Sequence, residues 1–278
     1  MILVLGGKGK TGSRVAERLA DRGEEVRIGS RTENPPFDWE NRQTWPEAID
    51  GADSVYITFQ PDLAVPGARE AIEGFTSLAV SGGVGKVVLL SGKGEKEAEL
   101  CEQVVRDAGA DWTIVRASWF NQNFSEHFFL DPILAGHVAL PKAEALVPFV
   151  DTNDIADVVV QALLNDDHIG KTYELTGPRL LTFEQAIREI SAATGREIAF
   201  SPITLDDYES MLMELQVPEN FIWLISYLFR EVLVEGNSVV TDDIQSILGR
   251  RPRDFSEYAR ETAESGVWNP VERLEQRA

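Results

Sequence analysis

The chain has 278 residues, of which 43% are hydrophobic and 26% are charged, a composition typical of a folded globular protein. It carries 46 acidic and 26 basic residues, and the formal net charge of −20 argues against a nucleic acid or an anionic membrane surface as a partner. The single cysteine, Cys101, can form neither an internal disulfide nor a multi-cysteine metal site. No apolar run reaches the roughly 20 residues of a membrane span, and the apolar start is too short for a signal peptide, so we expect a cytoplasmic protein.

The first predicted element is a short apolar strand at residues 2–5, whose uniform hydrophobicity is typical of a strand buried on both faces of a parallel sheet. The glycine-rich segment GGKGKTG, residues 6–12, separates this strand from a predicted helix at residues 13–22. A glycine pattern in this strand–loop–helix context indicates a turn that lets a pyrophosphate approach the backbone, with the amide groups of the helix N-terminus facing the anion.

The glycines of this segment at positions 7, 9 and 12 fit the pattern G-x-G-x-x-G. The first glycine would permit the turn, the second the approach of the ligand, and the third the close packing of helix on strand. The alternative is a structural turn that has lost its ligand. We predict a dinucleotide site here that includes Gly7, Lys8, Gly9, Lys10, Thr11 and Gly12.

The second predicted strand, residues 26–28, bears on the choice between NAD and NADP. NAD sites usually place an acidic residue about 20 positions beyond the glycines, where it binds the ribose hydroxyls. Here the strand is followed by Gly29, Ser30 and Arg31, and both polar side chains can bind a 2′-phosphate. Residues 1–31 also contain seven basic and four acidic residues in an otherwise acidic chain. The sequence therefore predicts NADP(H) in preference to NAD(H).

Strands and helices continue to alternate to about residue 115. The further strands are predicted at 54–59, 86–90 and 112–115, and the helices between them at 68–80 and 96–108. This alternation predicts an α/β fold of the Rossmann type, a doubly wound parallel sheet with helices on both faces. It is interrupted at residues 32–50, where Pro35 and Pro36 indicate an irregular connection.

The pattern changes after Arg116, where aromatic residues become dense and helical spacing dominates. Helices are predicted at 151–164, 182–194 and 221–234, and a strand at 171–175. We therefore predict an NAD(P)-binding Rossmann domain at residues 1–117, to which 145–175 return, and a smaller, mostly helical substrate-binding domain at 118–278.

Several stretches resemble the NmrA-like group of atypical short-chain dehydrogenases. They are ILVLGGKGKTGSRVAERLADRGEEVRIGSR, KVVLLSGKGE, DWTIVRASWFNQNF, VPFVDTNDIADVVVQALL, YELTGPRLLTFEQA and GRRPRDFSEYARE, and they span nearly the whole chain. ILVLGGKGKT, the FDW and TW of residues 37–45, and VYITFQPD are closer still to ergot-alkaloid dehydrogenases of the festuclavine and agroclavine type. The resemblance implies a cofactor and substrate held between two domains, and NADP(H)-dependent reduction of a small apolar molecule, as in secondary metabolism.

The resemblance also implies roles for individual positions. The glycine loop would hold the pyrophosphate, Ser30 and Arg31 would flank the adenosine end, and Ser91 would lie near the nicotinamide. Phe59, Gln60 and Pro61 would lie along the adenine and ribose. Our candidates for the substrate face are Trp119, Phe120, Asn123, Phe124 and His127, together with Trp223 and Tyr227, which stand four residues apart on one predicted helix face.

The usual proton donor of short-chain dehydrogenases is missing. These enzymes use a Tyr-x-x-x-Lys pair, and in extended members a Glu follows the Lys by four residues. With Glu102 as that Glu, the Lys position is Ala98 and the Tyr position is Gly94, and neither can transfer a proton. No tyrosine occurs between Ile57 and Thr172. His127 is a weak candidate for a catalytic acid, and a surface or packing role is the favoured interpretation.

Hydride transfer to an iminium, a quinone or an enone develops less local negative charge than transfer to a ketone, so it depends mainly on orientation. We therefore predict an oxidoreductase acting on such a group of a small aromatic or polycyclic compound. Two alternatives stay open: a dinucleotide-sensing regulator that works through a partner protein, and a tailoring component of an aromatic polyketide pathway. Three scattered histidines lack the spacing of a metal site, so we expect no metal.

Overall fold

The structure, a computed structural model, describes residues 1–126 and 128–270 and consists of two compact units. The first unit contains Met1–Ser118, Thr152–Thr176 and Thr241–Pro252. The second contains Trp119–Asp151, Gly177–Val240 and the described residues from Arg253 onward. The chain thus returns to the first unit twice. The return at 241–252 has no counterpart in the division drawn from the sequence, and residues 145–151 lie in the second unit.

The first unit is built on a parallel sheet of six strands in the order β2-β1-β3-β4-β5-β7. The order reverses at β1, because β2 pairs on one side of it and β3 on the other. This arrangement confirms the predicted doubly wound Rossmann fold. The strands are β1 (Ile2–Leu5), β2 (Val26–Gly29), β3 (Ser54–Ile57), β4 (Lys86–Gly92), β5 (Asp111–Ala117) and β7 (Lys171–Leu175).

Helices cover both faces of this sheet. One face packs on the apolar side chains of α2, α3 and α4, and on the other face α1 packs against α6, which contacts β3, β4 and β5. α10 contacts α6 and β7. Successive strand residues point to opposite faces, and every residue of β1 and β3 is buried because helices cover both faces. The helices are α1 (Gly12–Asp21), α2 (Trp45–Ile49), α3 (Ala68–Ser81), α4 (Lys96–Asp107), α6 (Thr152–Leu164) and α10 (Asp243–Leu248).

The second unit has an aromatic core in which Phe124, Phe129, Phe149, Phe183 and Phe255 pack edge to face or tilted. Its two short strands pair in parallel and were not predicted from the sequence. The helix predicted at 221–234 is shorter, because five residues of π-helix follow it. The elements are α5 (Leu130–Ala135), β6 (His137–Leu140), α7 (Phe183–Thr194), β8 (Ala199–Pro202), α8 (Leu205–Glu214), α9 (Glu219–Tyr227) and α11 (Phe255–Glu264).

The start of α7 shows how local sequence fixes an element. The Thr182 side chain accepts a hydrogen bond from the Gln185 backbone, and the Gln185 side chain accepts one from the Thr182 backbone. This capping box satisfies two amide groups that the first turn would otherwise leave unpaired. The helix ends at Gly195, which adopts the left-handed conformation at φ 65°. Both ends of this helix were predicted, and both are confirmed.

A buried carboxylate joins β4 and β5 to α4. Glu102 is 0% exposed and accepts hydrogen bonds from the Ser91 hydroxyl at 2.7 Å, from Arg116 Nε at 2.7 Å and from Arg106 Nη2 at 2.8 Å. Ser91 and Arg116 are paired in the register of the two strands, which brings both donors to one carboxylate. Burial alone would raise the pKa of Glu102, but the hydrogen bonds from Arg116, Ser91 and Arg106 outweigh it and lower the pKa.

We predict that Glu102→Gln lowers the free energy of unfolding at pH 7 by about 2–3 kcal/mol, because it removes charged hydrogen bonds from two arginines. The pKa of Glu102 is lowered in the folded protein, so its contribution is present above the unfolded value of about 4.3 and is lost as the pH falls through the folded value. Urea unfolding at several pH values checks this.

The matched control is Glu184→Gln, which removes a carboxylate from an exposed pair with Arg188 and should change stability by less than about 0.5 kcal/mol. A difference between wild type and Glu102→Gln that does not shrink in acid would contradict the assignment.

Candidate cofactor-binding site

The glycine loop forms a tight turn between β1 and α1. Gly6, rather than Gly7, takes the left-handed conformation at φ 61°, so the turn residue is one position earlier than the sequence pattern indicated. The Gly9 amide donates to the Gly6 carbonyl at 2.7 Å, and the Ser13 amide donates to the Gly9 carbonyl at 3.1 Å. The loop is thus held by hydrogen bonds of its own backbone.

Each motif glycine lies where a side chain would meet the fold. A Cβ at Gly12 would overlap the Gly6 carbonyl oxygen, and a Cβ at Gly7 would lie 2.6 Å from Ile28 Cγ2. A Cβ at Gly9 would lie 3.2 Å from the Gly6 carbonyl oxygen. The absence of these side chains brings the first turn of α1 against the loop, as the third glycine of the pattern requires.

The N-terminus of α1 has no side-chain cap. Thr11 occupies the cap position without bonding the helix amides, and its hydroxyl instead accepts a hydrogen bond from the Tyr56 hydroxyl at 3.0 Å. Tyr56 is fully buried in β3, and burial raises the pKa of its phenol well above its usual value, so it stays a neutral donor. A helix of ten residues that begins without a side-chain cap beside the glycine loop points the positive end of its dipole at the place where an anion binds.

Hydroxyl and lysine groups gather beyond the end of β2. Lys8 Nζ lies 2.7 Å from Thr32 Oγ1 and 2.7 Å from Glu33 Oε1, and Ser30 Oγ lies 3.2 Å from Thr32 Oγ1. Arg31 is exposed. The loop lysine and the strand-end serine thus both contact Thr32, and their roles in binding the cofactor stay predictions. Sequence reasoning missed Thr32 and Glu33, although the acid three residues beyond Ser30 was a readable signal.

The end of β3 also contributes to this edge. Thr58 lies beneath Gly6 and donates to the Leu5 carbonyl at 3.1 Å. Gln60 is exposed, and its Nε2 lies 3.5 Å from the position of a Cβ on Gly9. Phe59 packs on Trp39, with ring centroids 4.9 Å apart. Gln60 therefore borders the glycine loop, whereas the Phe59 ring is engaged with the irregular connection after β2.

Two ionisable groups lie beyond the end of β4. Lys93 is 9% exposed, and its Nζ lies 3.1 Å from Glu174 Oε2. Glu95 is 7% exposed and shares a side-chain hydrogen bond with Asp62, which follows β3. The hydroxyl of Ser91, which the family resemblance associated with the nicotinamide, is already committed to Glu102. Charged groups that the sequence did not single out thus occupy this part of the edge.

The predicted substrate residues lie in the second unit, apart from His127, which lies outside the described residues. Phe124 is 0% exposed in the aromatic core, so its ring is a packing group. Trp119 is half-buried against Phe183 and Phe229, while Phe120 and Asn123 are partly exposed. Trp223 stacks on Tyr227 with centroids 5.6 Å apart, as their spacing predicts, and Trp223 is 46% exposed.

Neither a metal centre nor a membrane span stands out in the part of the chain that the structure describes. No group of three or more histidine, cysteine or acidic residues there could hold a metal ion. No helix among those residues has the length and apolar character for crossing a bilayer. Cys101 is buried, which raises the pKa of its thiol to about 12 and makes it a poor nucleophile at neutral pH.

The residues of the first unit fit a dinucleotide. The glycine loop and the N-terminus of α1, which has no side-chain cap, suit a pyrophosphate. The cluster at Lys8 suits a ribose that carries a phosphate. In a doubly wound sheet, the two halves of such a ligand lie on either side of the point where the strand order reverses. Here that point is β1, so a bound dinucleotide would place its adenosine half over β2 and its nicotinamide half over β3 and β4.

Comparison with solved structures agrees with this fold. An Escherichia coli NADPH-dependent quinone oxidoreductase solved with NADPH superposes with a TM-score of 0.77 and 16% identity, covering 94% of this chain and 99% of that chain. A Citrobacter triphenylmethane reductase solved with NADP(H) superposes with a TM-score of 0.73 and 19% identity, over 94% and 99% of the two chains. Both share the fold of this chain.

Sequence relatives extend over nearly the whole chain. An NAD(P)H azoreductase of Xenophilus azovorans is 27% identical, over 94% of this chain and 97% of its own length. Agroclavine dehydrogenase of Claviceps fusiformis is 27% identical over 96% and 98%. Prestalk A differentiation protein A of Dictyostelium discoideum is 27% identical over 94% and 92%. The similarity to ergot-alkaloid dehydrogenases seen in the sequence is thereby confirmed.

A family model decides the classification. The model of the NmrA-like family matches residues 97–259, which is more than half of the chain. The chain therefore belongs to the NmrA-like family.

Proposed function

We propose that the protein is an NADPH-dependent reductase that transfers a hydride to an iminium, quinone or enone of a small aromatic or polycyclic compound. The observation that carries this proposal is the glycine loop, where a Cβ at Gly12 would overlap the Gly6 carbonyl oxygen. The loop and the first turn of α1 form a cradle for the pyrophosphate of the dinucleotide, which supplies the hydride when bound.

In this proposal the residues of the chain bind the dinucleotide and the substrate and orient them. The amide groups at the start of α1 hold the pyrophosphate, and Tyr56 fixes Thr11 at that position through the hydroxyl contact. Gln60 borders the loop on the nicotinamide side, and Lys8, Ser30 and Arg31 hold the adenosine end. Trp119, Phe120 and Asn123 stay our candidates for the substrate face, and the stack of the exposed Trp223 on the half-buried Tyr227 is a further candidate.

The proposed acceptor class rests on two considerations. The position that corresponds to the usual tyrosine is Gly94, which favours acceptors that take a hydride without a strong local anion. The relatives are named for an azo compound and for agroclavine, and one structural neighbour is named for quinones. Azo compounds and quinones are conjugated acceptors, which supports the proposed acceptor class here.

A second candidate is a regulator that binds the dinucleotide without turnover. The relative named for prestalk differentiation supports this alternative, because its name describes a developmental role rather than a reaction. The cradle would serve both functions equally. Turnover therefore has to be measured separately from binding.

We predict that the purified protein oxidises NADPH in the presence of at least one acceptor from a panel of quinones, azo dyes and iminium salts, followed by absorbance. Gly12→Ala should weaken NADPH binding at least tenfold by calorimetry, because the new Cβ forces the loop away from the helix.

The control for that variant is Gly236→Ala, since a Cβ at Gly236 meets nothing within 4 Å. It should bind NADPH as tightly as wild type. Tight NADPH binding without oxidation of any acceptor would favour the regulator, and no binding of either dinucleotide by wild type would contradict both functions.

The preference for NADPH rests on the cluster at Lys8. The Glu33 carboxylate contacts the same ammonium group that a 2′-phosphate would use, so it competes with the phosphate for Lys8. The lysine side chain is 55% exposed, and the contact is therefore screened by water.

We predict that Lys8→Met weakens NADPH binding about fivefold and NADH binding little, and that Glu33→Gln strengthens NADPH binding by about two- to fivefold. Calorimetry with both dinucleotides gives the ratio. Arg22→Gln removes an exposed positive charge from the end of α1 and serves as the control. Equal effects of the Lys8 and Glu33 changes on both dinucleotides would contradict the assignment.

A further inference from the structure

Two carboxyl groups, of which Glu95 is buried and Asp62 half-buried, share one hydrogen bond at the edge of the sheet. Asp62 lies two residues beyond Gln60 in the segment after β3, and Glu95 is the residue before α4. Their side chains are hydrogen-bonded to each other, and Glu95 is 7% exposed. An ionised carboxylate can only accept hydrogen bonds, so this contact requires a proton on one of the two groups.

The surroundings assign that proton to Glu95. The Ala64 backbone amide donates to Asp62 Oδ1 at 2.8 Å, which favours the ionised form of Asp62. Burial raises the pKa of Glu95 well above its usual range, and the negative charges of Asp62 and Glu97 raise it further. Burial raises the pKa of Asp62 as well, and Glu97 adds to the effect. The pair therefore holds a proton at a pH where an exposed glutamate has lost it.

The pair lies on the nicotinamide half of the candidate cofactor site. A Cβ at Gly92, the last residue of β4, would overlap the Glu95 carboxyl group. Asp62 belongs to the segment whose Gln60 borders the glycine loop. The two carboxyl groups thus join the ends of β3 and β4, on the side of β1 opposite to Lys8 and Ser30.

We propose that Glu95, paired with Asp62, donates the proton that reduction of a neutral acceptor requires, in place of the absent tyrosine. This inference rests on the reductase function proposed above. A quinone takes a hydride from the reduced dinucleotide and a proton from Glu95, so the carboxyl O–H bond breaks as an O–H bond forms on the acceptor. The products are a hydroquinone and the oxidised dinucleotide, and Glu95 regains its proton from water.

The charge of the acceptor separates this role from a structural one. A cationic acceptor, such as an iminium ion or a triarylmethane dye, is neutralised by the hydride alone and needs no proton. A neutral quinone needs a hydride and a proton. A change that only disturbs the fold or cofactor binding slows the reduction of both acceptors, whereas loss of the proton donor slows the reduction of the quinone alone.

The test compares Glu95→Gln with wild type on a soluble quinone and on a cationic triarylmethane dye. Glutamine keeps the shape of the side chain and can still donate to Asp62. The turnover number for the quinone should fall about 10²-fold, while the dye rate and the calorimetric affinity for NADPH change less than about twofold. The wild-type quinone rate should also fall as the pH rises through the raised pKa of Glu95, because the donor must be protonated, and the dye rate should not.

Further variants locate the donor. Asp62→Asn removes the neighbouring negative charge, so it should move the quinone pH profile to lower pH. Glu73→Gln, an exposed acid on α3, should leave both rates unchanged. Lys93 is the other ionisable group at the end of β4, and an acceptor-selective loss in Lys93→Met rather than in Glu95→Gln would overturn the proposal.

A measurement without turnover completes the test. The infrared spectrum of the ligand-free protein at neutral pH should contain a protonated-carboxyl band that Glu95→Gln removes. A band that persists in that variant, or quinone reduction that the variant retains, would overturn the proposal and leave the reductase function standing. Failure of wild type to reduce either acceptor would overturn both.

Discussion

The close approach of the first helix to the loop that precedes it is the constraint on which the rest of the site depends. The Cα of Gly12 lies so near the Gly6 carbonyl oxygen that no side chain fits between them. This contact directs the uncapped start of α1 at the space above β1, where the strand order reverses. A doubly wound sheet has its crevice at that point, so the amide groups and the crevice coincide.

Charge is distributed unevenly along the edge on which this crevice opens. Lys8 and the hydroxyl groups of Ser30 and Thr32 lie beside β2, whereas Asp62 and Glu95 lie beyond β3 and β4. In a chain with a formal charge of −20, the basic end is the exception and suits a phosphate. Asp62 and Glu95 share a proton instead of binding a counter-ion, because burial disfavours two charged carboxylates side by side.

The position that our sequence alignment assigns to the usual tyrosine lies in a turn. Gly94 has a φ of 83°, which side chains rarely adopt, so this position is built as a turn and not as a support for a catalytic group. The neighbouring Glu95 carries the ionisable group instead, buried against Gly92. In our proposal the proton donor is therefore Glu95, one residue beyond the position aligned with the usual tyrosine, in the connection between β4 and α4.

The sequence by itself determined the family and the alternation of strands and helices in the first unit. Uniformly apolar strands, a glycine loop between strand and helix, and the capping residues at Thr182 and Gly195 act over a few positions, so they are readable without a fold. Only the tertiary structure decided which distant side chains meet. The pairing of Asp62 with Glu95 and the contact of Lys8 with Glu33 join residues of separate loops. The four-group cluster at Glu102 joins two strands to a helix. No spacing along the chain encodes such contacts, because the strand order and the register set them.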